Sequence, residues 1–127
     1  EKAREALHVL GLAMMEARIA TDLPYGQQRL VELARALAVG PRLLLLDEPV
    51  AGMNTKEIDF MRQLVLKIRE RGVTVLLVEH NMDLVMDISD RVTVISSGKK
   101  IAEGFPGEVR NNPVVVENYI GKGMDIA

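Results

Sequence analysis

The chain has 127 residues, 48% hydrophobic and 27% charged, which suits one modest globular domain or part of a larger one and excludes a disordered tail. Sixteen Lys and Arg stand against 18 Asp and Glu for a net charge of −2, so the composition holds no polybasic footprint for nucleic acid. Cysteine is absent, which removes disulfides and thiol chemistry and is compatible with a reducing compartment. No apolar run approaches the roughly 20 residues that cross a bilayer, and EKAREAL is not the opening of a signal peptide. The first residue is Glu1 rather than Met, as expected of a chain cut from something longer.

Aromatic residues make up 3%, so the core must come from Leu, Val, Ile, Ala and Met. The first element expected is a helix over Lys2 to Leu10, with Ala3, Ala6, Leu7 and Leu10 on one face and Gly11 as its stop. A second short helical piece is expected over Ala13 to Ala20, followed by the punctuation of LPYG at 23–26. From Gln27 to Val39, Leu30, Leu33, Ala34, Leu37 and Ala38 recur at the spacing of a buried helical stripe, and Gly40-Pro41 ends it. Leu43 to Leu46 is too short for a helix and reads as a buried strand. Asn54 and Glu57 form a helix-starting box, and Ile58, Met61, Leu64, Val65 and Ile68 carry the buried face as far as Arg71. VTVLLVE at 73–79 reads as a second strand covered on both faces. A short helix is expected from Asn81 to Ile88, a hairpin from 91–97 and 99–104 around Gly98, and closing helices over Pro106–Asn111 and Pro113–Ile120. Alternating strands and helices imply an α/β fold with a parallel sheet and flanking helices.

Chemistry concentrates where the strands end. In parallel α/β sheets, ligands lie beyond the carboxyl ends of strands, where this sequence sets Asp47, Glu48 and His80. A carboxylate such as Asp47 suits Mg²⁺ held through water. An adjacent one can orient or deprotonate a water, and an imidazole can donate to a phosphoryl oxygen. That set fits nucleoside-triphosphate hydrolysis. The plainer alternative is a strand leaving the core into a turn, followed by a structural histidine. His8 has no partner motif and reads as a surface residue; the seven methionines read as core filling.

Order and spacing discriminate between the two. LPYGQQRLVELARALAVGPRLLLLDEPVAGMN followed by VTVLLVEHNMD resembles the second half of an ATP-binding-cassette (ABC) ATPase. LPYGQ (23–27) stands where that family has its Leu-Ser-Gly-Gly-Gln signature, LLLLDE (43–48) as its Walker B strand, AGMN (51–54) as its D-loop, and His80 as its switch histidine. The fold so implied is part of a P-loop NTPase sheet preceded by part of the helical signature subdomain. Residues 1–40 would belong to that subdomain, 41–104 to half of the RecA-like core, and 105–127 to C-terminal helices. LPYGQQR, Gly-Met-Asn after Walker B and the tail EVRNNPVVVENYIG look like the ATP-binding subunits of branched-chain amino acid importers.

The resemblance implies that Asp47 coordinates Mg²⁺ through water, Glu48 is the general base and His80 holds the γ-phosphate. Tyr25, Gly26, Gln27 and Asn54 would meet ATP bound to the opposite subunit. Helix N-termini do offer free amides and a positive dipole end to anions. The implied cofactors are ATP and Mg²⁺. The implied partners are a second ATP-binding subunit, identical or not, and transmembrane permease subunits, with no nucleic acid; the implied location is the cytoplasmic face of the cell membrane. Three positions depart from the family pattern. Pro24 replaces the signature serine, Tyr25 replaces a glycine, and Asn54 replaces the loop aspartate, which leaves helix capping as an alternative role for Asn54.

A phosphate-binding loop requires G-x-x-x-x-G-K-[ST]. Neither Gly98-Lys99 nor Gly121-Lys122 has the earlier Gly or the following Ser/Thr. The adenine-stacking aromatic and the glutamine loop of the family are absent as well. The expectation is an enzyme part that hydrolyses ATP only within a complete domain. The alternative is a non-catalytic interaction or dimerisation module without nucleotide binding of its own. A Walker A loop about a hundred residues or more before Asp47 separates the two. A related ATPase of DNA repair or chromosome organisation fits less well, for want of coiled-coil heptads and a basic face.

Overall fold

The computed structural model of the chain describes residues 1–120, the side chain of Ile120 excepted. These residues form two compact units, one spanning Glu1–Glu79 and one beginning at His80. The expected division at 40/41 and 104/105 follows motifs rather than compactness, and Gly121 to Ala127 lie outside the described residues.

The first unit opens with α1 (Lys2–Val9). Ala6 and Leu10 are buried and Leu7 partly so, while Ala3 faces solvent. The helix expected over Ala13 to Ala20 is replaced by single 3₁₀ turns at Ala13–Met15 and Ala20–Asp22. The stretch has no continuous apolar face to bury: Met14 is 97% exposed and Ile19 67%. A helix this short gains too little without packing to persist. Helix α2 (Tyr25–Ala38) buries Leu30, Leu33 and Ala34 and packs on α1. It starts two residues before the expected Gln27.

Strands β1 (Leu43–Asp47) and β2 (Thr74–Val78) pair in parallel, with Leu44 beside Val75, Leu46 beside Leu77, and Asp47 beside Val78. The intervening α3 (Thr55–Glu70) buries Met61, Leu64, Val65 and Ile68 and packs on β2. Each of these side chains contributes about 1.5–3 kcal/mol relative to an exposed position.

The strands depart from expectation. Burial alternates along both instead of covering both faces. Leu43, Leu45, Leu76 and Val78 are 54%, 66%, 58% and 57% exposed. Cross-strand register puts these four on one face of the sheet, together with Asp47. The sequence is apolar on both faces because both are suited to cover, but among the described residues only one is covered.

In the second unit, Asn81 caps α4 (Met82–Ile88) by accepting from the Leu84 amide at 3.0 Å. Strands β3 (Val92–Ser96) and β4 (Lys99–Gly104) form the expected antiparallel hairpin. Ser97 and Gly98, both with positive φ (50° and 74°), make a turn whose twist matches the strands. Helices α5 (Pro106–Arg110) and α6 (Pro113–Val115) follow, the latter widening into a looser turn over Val116–Ile120. Met86, Val92, Val94, Val109 and Val115 form the core of this unit.

Candidate functional site

Strand β1 stops at Asp47 because the next residue cannot extend it. Glu48 takes a left-handed conformation (φ 47°), which costs a non-glycine residue about 1–2 kcal/mol, and Pro49 then removes a strand donor. The turn is held from β2: the Glu48 amide donates to the Val78 carbonyl at 2.8 Å, and the Val50 amide to Glu79 Oε1 at 3.3 Å. Val50 itself is buried. The Ala51 amide donates to the Glu48 carbonyl at 3.2 Å and that of Met53 to the Val50 carbonyl at 3.1 Å, so the turn runs directly into the loop that starts α3.

That loop ends in the expected reciprocal cap. Asn54 Oδ1 accepts from the Glu57 amide at 3.0 Å, and Glu57 Oε2 accepts from the Asn54 amide at 2.9 Å. Helix capping is thus an observed role of Asn54.

The LPYG turn lies against this same loop. Pro24 is the N-cap of α2 and supplies no side-chain bond, so Tyr25, Gly26 and Gln27 form its first turn. The turn is tied down by Gln28, whose Nε2 donates to the Leu23 carbonyl at 2.8 Å. A Cβ on Gly26 would sit 2.9 Å from Glu57 Oε1, and one on Gly52 3.7 Å from Tyr25 Cε1. Arg29 lies over the Tyr25 ring, 5.3 Å from its centroid, and its Nε donates to the Tyr25 hydroxyl at 3.0 Å. That bond, then the contact with Glu32, raises the Arg29 pKa further above its ordinary range. Between the starts of α2 and α3 lies a cleft of about 320 Å³, lined by Gln27, Leu30, Met53, Lys56 and Phe60 among others.

Five of the residues singled out in the sequence (Tyr25, Gly26, Asp47, Glu48 and Asn54) are therefore on adjoining segments of one unit, with Gln27 beside them on α2. His80 follows Glu79 directly in the chain and opens the second unit. Two residues have a part in the site that their sequence pattern does not reveal. Glu57 was visible as a cap, but its place over Gly26 was not. Glu79 gave no signal beyond being an acid at a strand end.

Among the described residues, no three His, Cys, Asp or Glu side chains gather into a cage that could hold a metal. An exposed Asp47 at a strand end instead fits Mg²⁺, which keeps several waters and takes one or two carboxylates plus phosphate oxygens.

A parallel strand pair ending in an acid turn, set against a helix N-terminal turn of the LPYGQ type, is the arrangement expected of an ABC ATPase, and the known proteins that this chain matches are of that kind. Residues 1–51 match the ABC transporter family, and residues 99–125 match the branched-chain amino acid ATP-binding cassette transporter family. The two matches make the chain similar to the ABC transporter ATPases at both of its ends. Among individual relatives, it is 47% identical over 123 residues to the high-affinity branched-chain amino acid transport ATP-binding protein BraF of Pseudomonas aeruginosa. It is 43% identical over 123 residues to LivG of Salmonella typhimurium, which carries the same description. Each alignment takes in 96% of this chain and 48% of the relative, so the chain spans about half the length of the curated relatives it matches. The ADP conformation of MJ1267, an ATP-binding cassette of an ABC transporter, superimposes with a TM-score of 0.86 at 37% identity, over 95% of this chain and 49% of that one. The mixed α/β fold is thus that of the ABC ATPases. Among the described residues no helix is long and apolar enough to cross a membrane.

Proposed function

We propose that this chain supplies the signature, Walker B and switch portion of an ATP-binding subunit that couples ATP hydrolysis to the import of branched-chain amino acids. Asp47 holds Mg²⁺ through water, Glu48 acts as general base on the attacking water, and His80 donates to the γ-phosphate. The first turn of α2, with Tyr25, Gly26 and Gln27, faces the ATP held by a second subunit, and Asn54 borders the same nucleotide. The phosphate-binding loop comes from a further stretch of polypeptide, which also covers the apolar face of Leu43, Leu45, Leu76 and Val78. The helical, core and C-terminal portions correspond to residues 1–40, 41–104 and 105–127. The assembled subunit pairs with a second one and with permease subunits at the cytoplasmic face of the membrane. Alone, the 127 residues bind Mg-ATP weakly and hydrolyse almost none, since positioning the phosphates is most of the catalysis.

The observation that carries this reading is the strained Glu48 turn, which joins an exposed Asp47 to a loop lying against the LPYGQ turn. Strain retained at one non-glycine residue points to a site where geometry matters more than local stability. In the complete subunit, Glu48→Gln should lower ATP turnover by at least about a hundredfold, the usual range for a general base, with Mg-ATP affinity preserved. Turnover at the parent rate would remove Glu48 from that role. Transport of labelled leucine by the subunit joined to its permease partners tests the solute; no leucine-stimulated turnover would refute it.

A further inference from the structure

We infer that Glu79 is a positioning residue for the hydrolytic step, its carboxylate fixing the turn that carries Glu48 through the main-chain amide of Val50. The inference rests on the reading of Glu48 as general base. Two consecutive residues at the end of β2 each take one amide of the turn. The Val78 carbonyl accepts from Glu48 at 2.8 Å and Glu79 Oε1 accepts from Val50 at 3.3 Å. Pro49 between them has no amide to offer. Every main-chain donor from residue 48 to residue 50 is therefore spent on this strand end.

A left-handed Glu48 persists only if its surroundings over-determine it. The Val78 bond fixes where the turn begins. The Glu79 bond fixes where it ends, at a Val50 whose own side chain is buried. Without the second bond, the buried Val50 anchor remains but its amide loses a partner, and the turn can relax toward an unstrained conformation. Glu48 then leaves the position from which it reaches water, and small misplacements of a catalytic group cost rate rather than binding.

Gln in place of Glu79 keeps an acceptor oxygen at the same reach and drops the charge; Met keeps the length and drops the acceptor. In the complete ATP-binding subunit, Glu79→Met should lower kcat about tenfold, the equivalent of one hydrogen bond to a donor left unsatisfied. KM for ATP should stay within about twofold, and Glu79→Gln should restore kcat to within about twofold of the parent. Amide exchange should quicken about tenfold at Val50 in the Met variant alone, while α2 and α3 keep their protection.

An unchanged kcat in Glu79→Met overturns the inference, as does a Gln variant as slow as the Met variant, which would make charge the operative property. Uniform loss of exchange protection, or failure of the Met variant to fold, also overturns it, because a general structural role would then account for Glu79. Glu48→Gln measured in parallel keeps the two readings apart. If that variant turns over normally, the general-base assignment fails, whatever Val50 exchange shows. If it is inactive while Glu79→Met is unaffected, only the Glu79 inference fails.

Discussion

Gly26→Ala probes the contact between the LPYG turn and the loop after β1, and the structure predicts an effect that depends on a residue 31 positions away. A Cβ at Gly26 would lie 2.9 Å from Glu57 Oε1, so the carboxylate must move. Its other oxygen accepts from the Asn54 amide at 2.9 Å, and displacing it forfeits one half of the cap, about 1 kcal/mol. Against this, alanine in the first turn of α2 recovers about 0.5 kcal/mol of helix propensity. Gly26→Ala alone should thus destabilise by about 0.5 kcal/mol, and Glu57→Ala alone by about 1 kcal/mol. With Glu57 truncated the obstruction is gone, so the double variant should cost only about 0.5 kcal/mol, against about 1.5 for independent effects. Urea unfolding reads the cycle. The protein has two tyrosines and no tryptophan, so in a Tyr119→Phe background Tyr25 fluorescence reports from the turn itself. A double variant at about 1.5 kcal/mol, the additive sum, would show that Gly26 and Glu57 do not share space and would refute the coupling.

An apolar sheet face left this exposed should make the chain associate with itself. Leu45→Lys with Leu76→Glu should convert it to a monomer by light scattering while shifting the urea midpoint little, since surface substitutions usually stay within about 0.5 kcal/mol. Unchanged association would place the sticky surface elsewhere. In the hairpin, Glu103 lies 2.8 Å from Lys100 Nζ and 3.2 Å from Arg91 Nη2, and Lys100 first, then Arg91, holds its carboxyl below the ordinary glutamate range. A carboxylate depressed in the folded state stabilises above its unfolded pKa and loses that contribution as pH falls through the folded value. Hairpin protection should therefore weaken below about pH 4.5 in the parent and less so in Glu103→Gln; identical pH profiles would rule out the pairing.

What could be read in the sequence was what is encoded locally. The Asn54–Glu57 box, the Gly98 hairpin and the stripe of α2 each depend on residues a few positions apart, and each appears where the pattern puts it. Ala13 to Ala20 does not form the expected helix because the stretch has no continuous apolar face to bury, with Met14 and Ile19 both exposed. The strands failed in a more instructive way. A run such as LLLL reports that both faces of a strand are suited to burial, yet it cannot report whether the covering layer is in the same polypeptide. The sequence pattern and the 54–66% exposure of Leu43, Leu45, Leu76 and Val78 agree once the sheet is regarded as half of a contact.

The site shows the same limit at shorter range. Asp47 and Glu48 stand out as adjacent acids at a strand end, but what fixes Glu48 is 30 residues away, in the carbonyl of Val78 and the carboxylate of Glu79. Parallel pairing is what brings them there: with Asp47 beside Val78 in register, the residues just beyond β2 fall level with the turn just beyond β1. A one-residue slip would carry the Val78 carbonyl away from the Glu48 amide and turn Asp47 onto the covered face. The apolar residues of β1 and β2 therefore do more than build a core. By requiring Leu44, Leu46, Val75 and Leu77 on the inner face, they set the register that holds the two acids at the open end of the sheet.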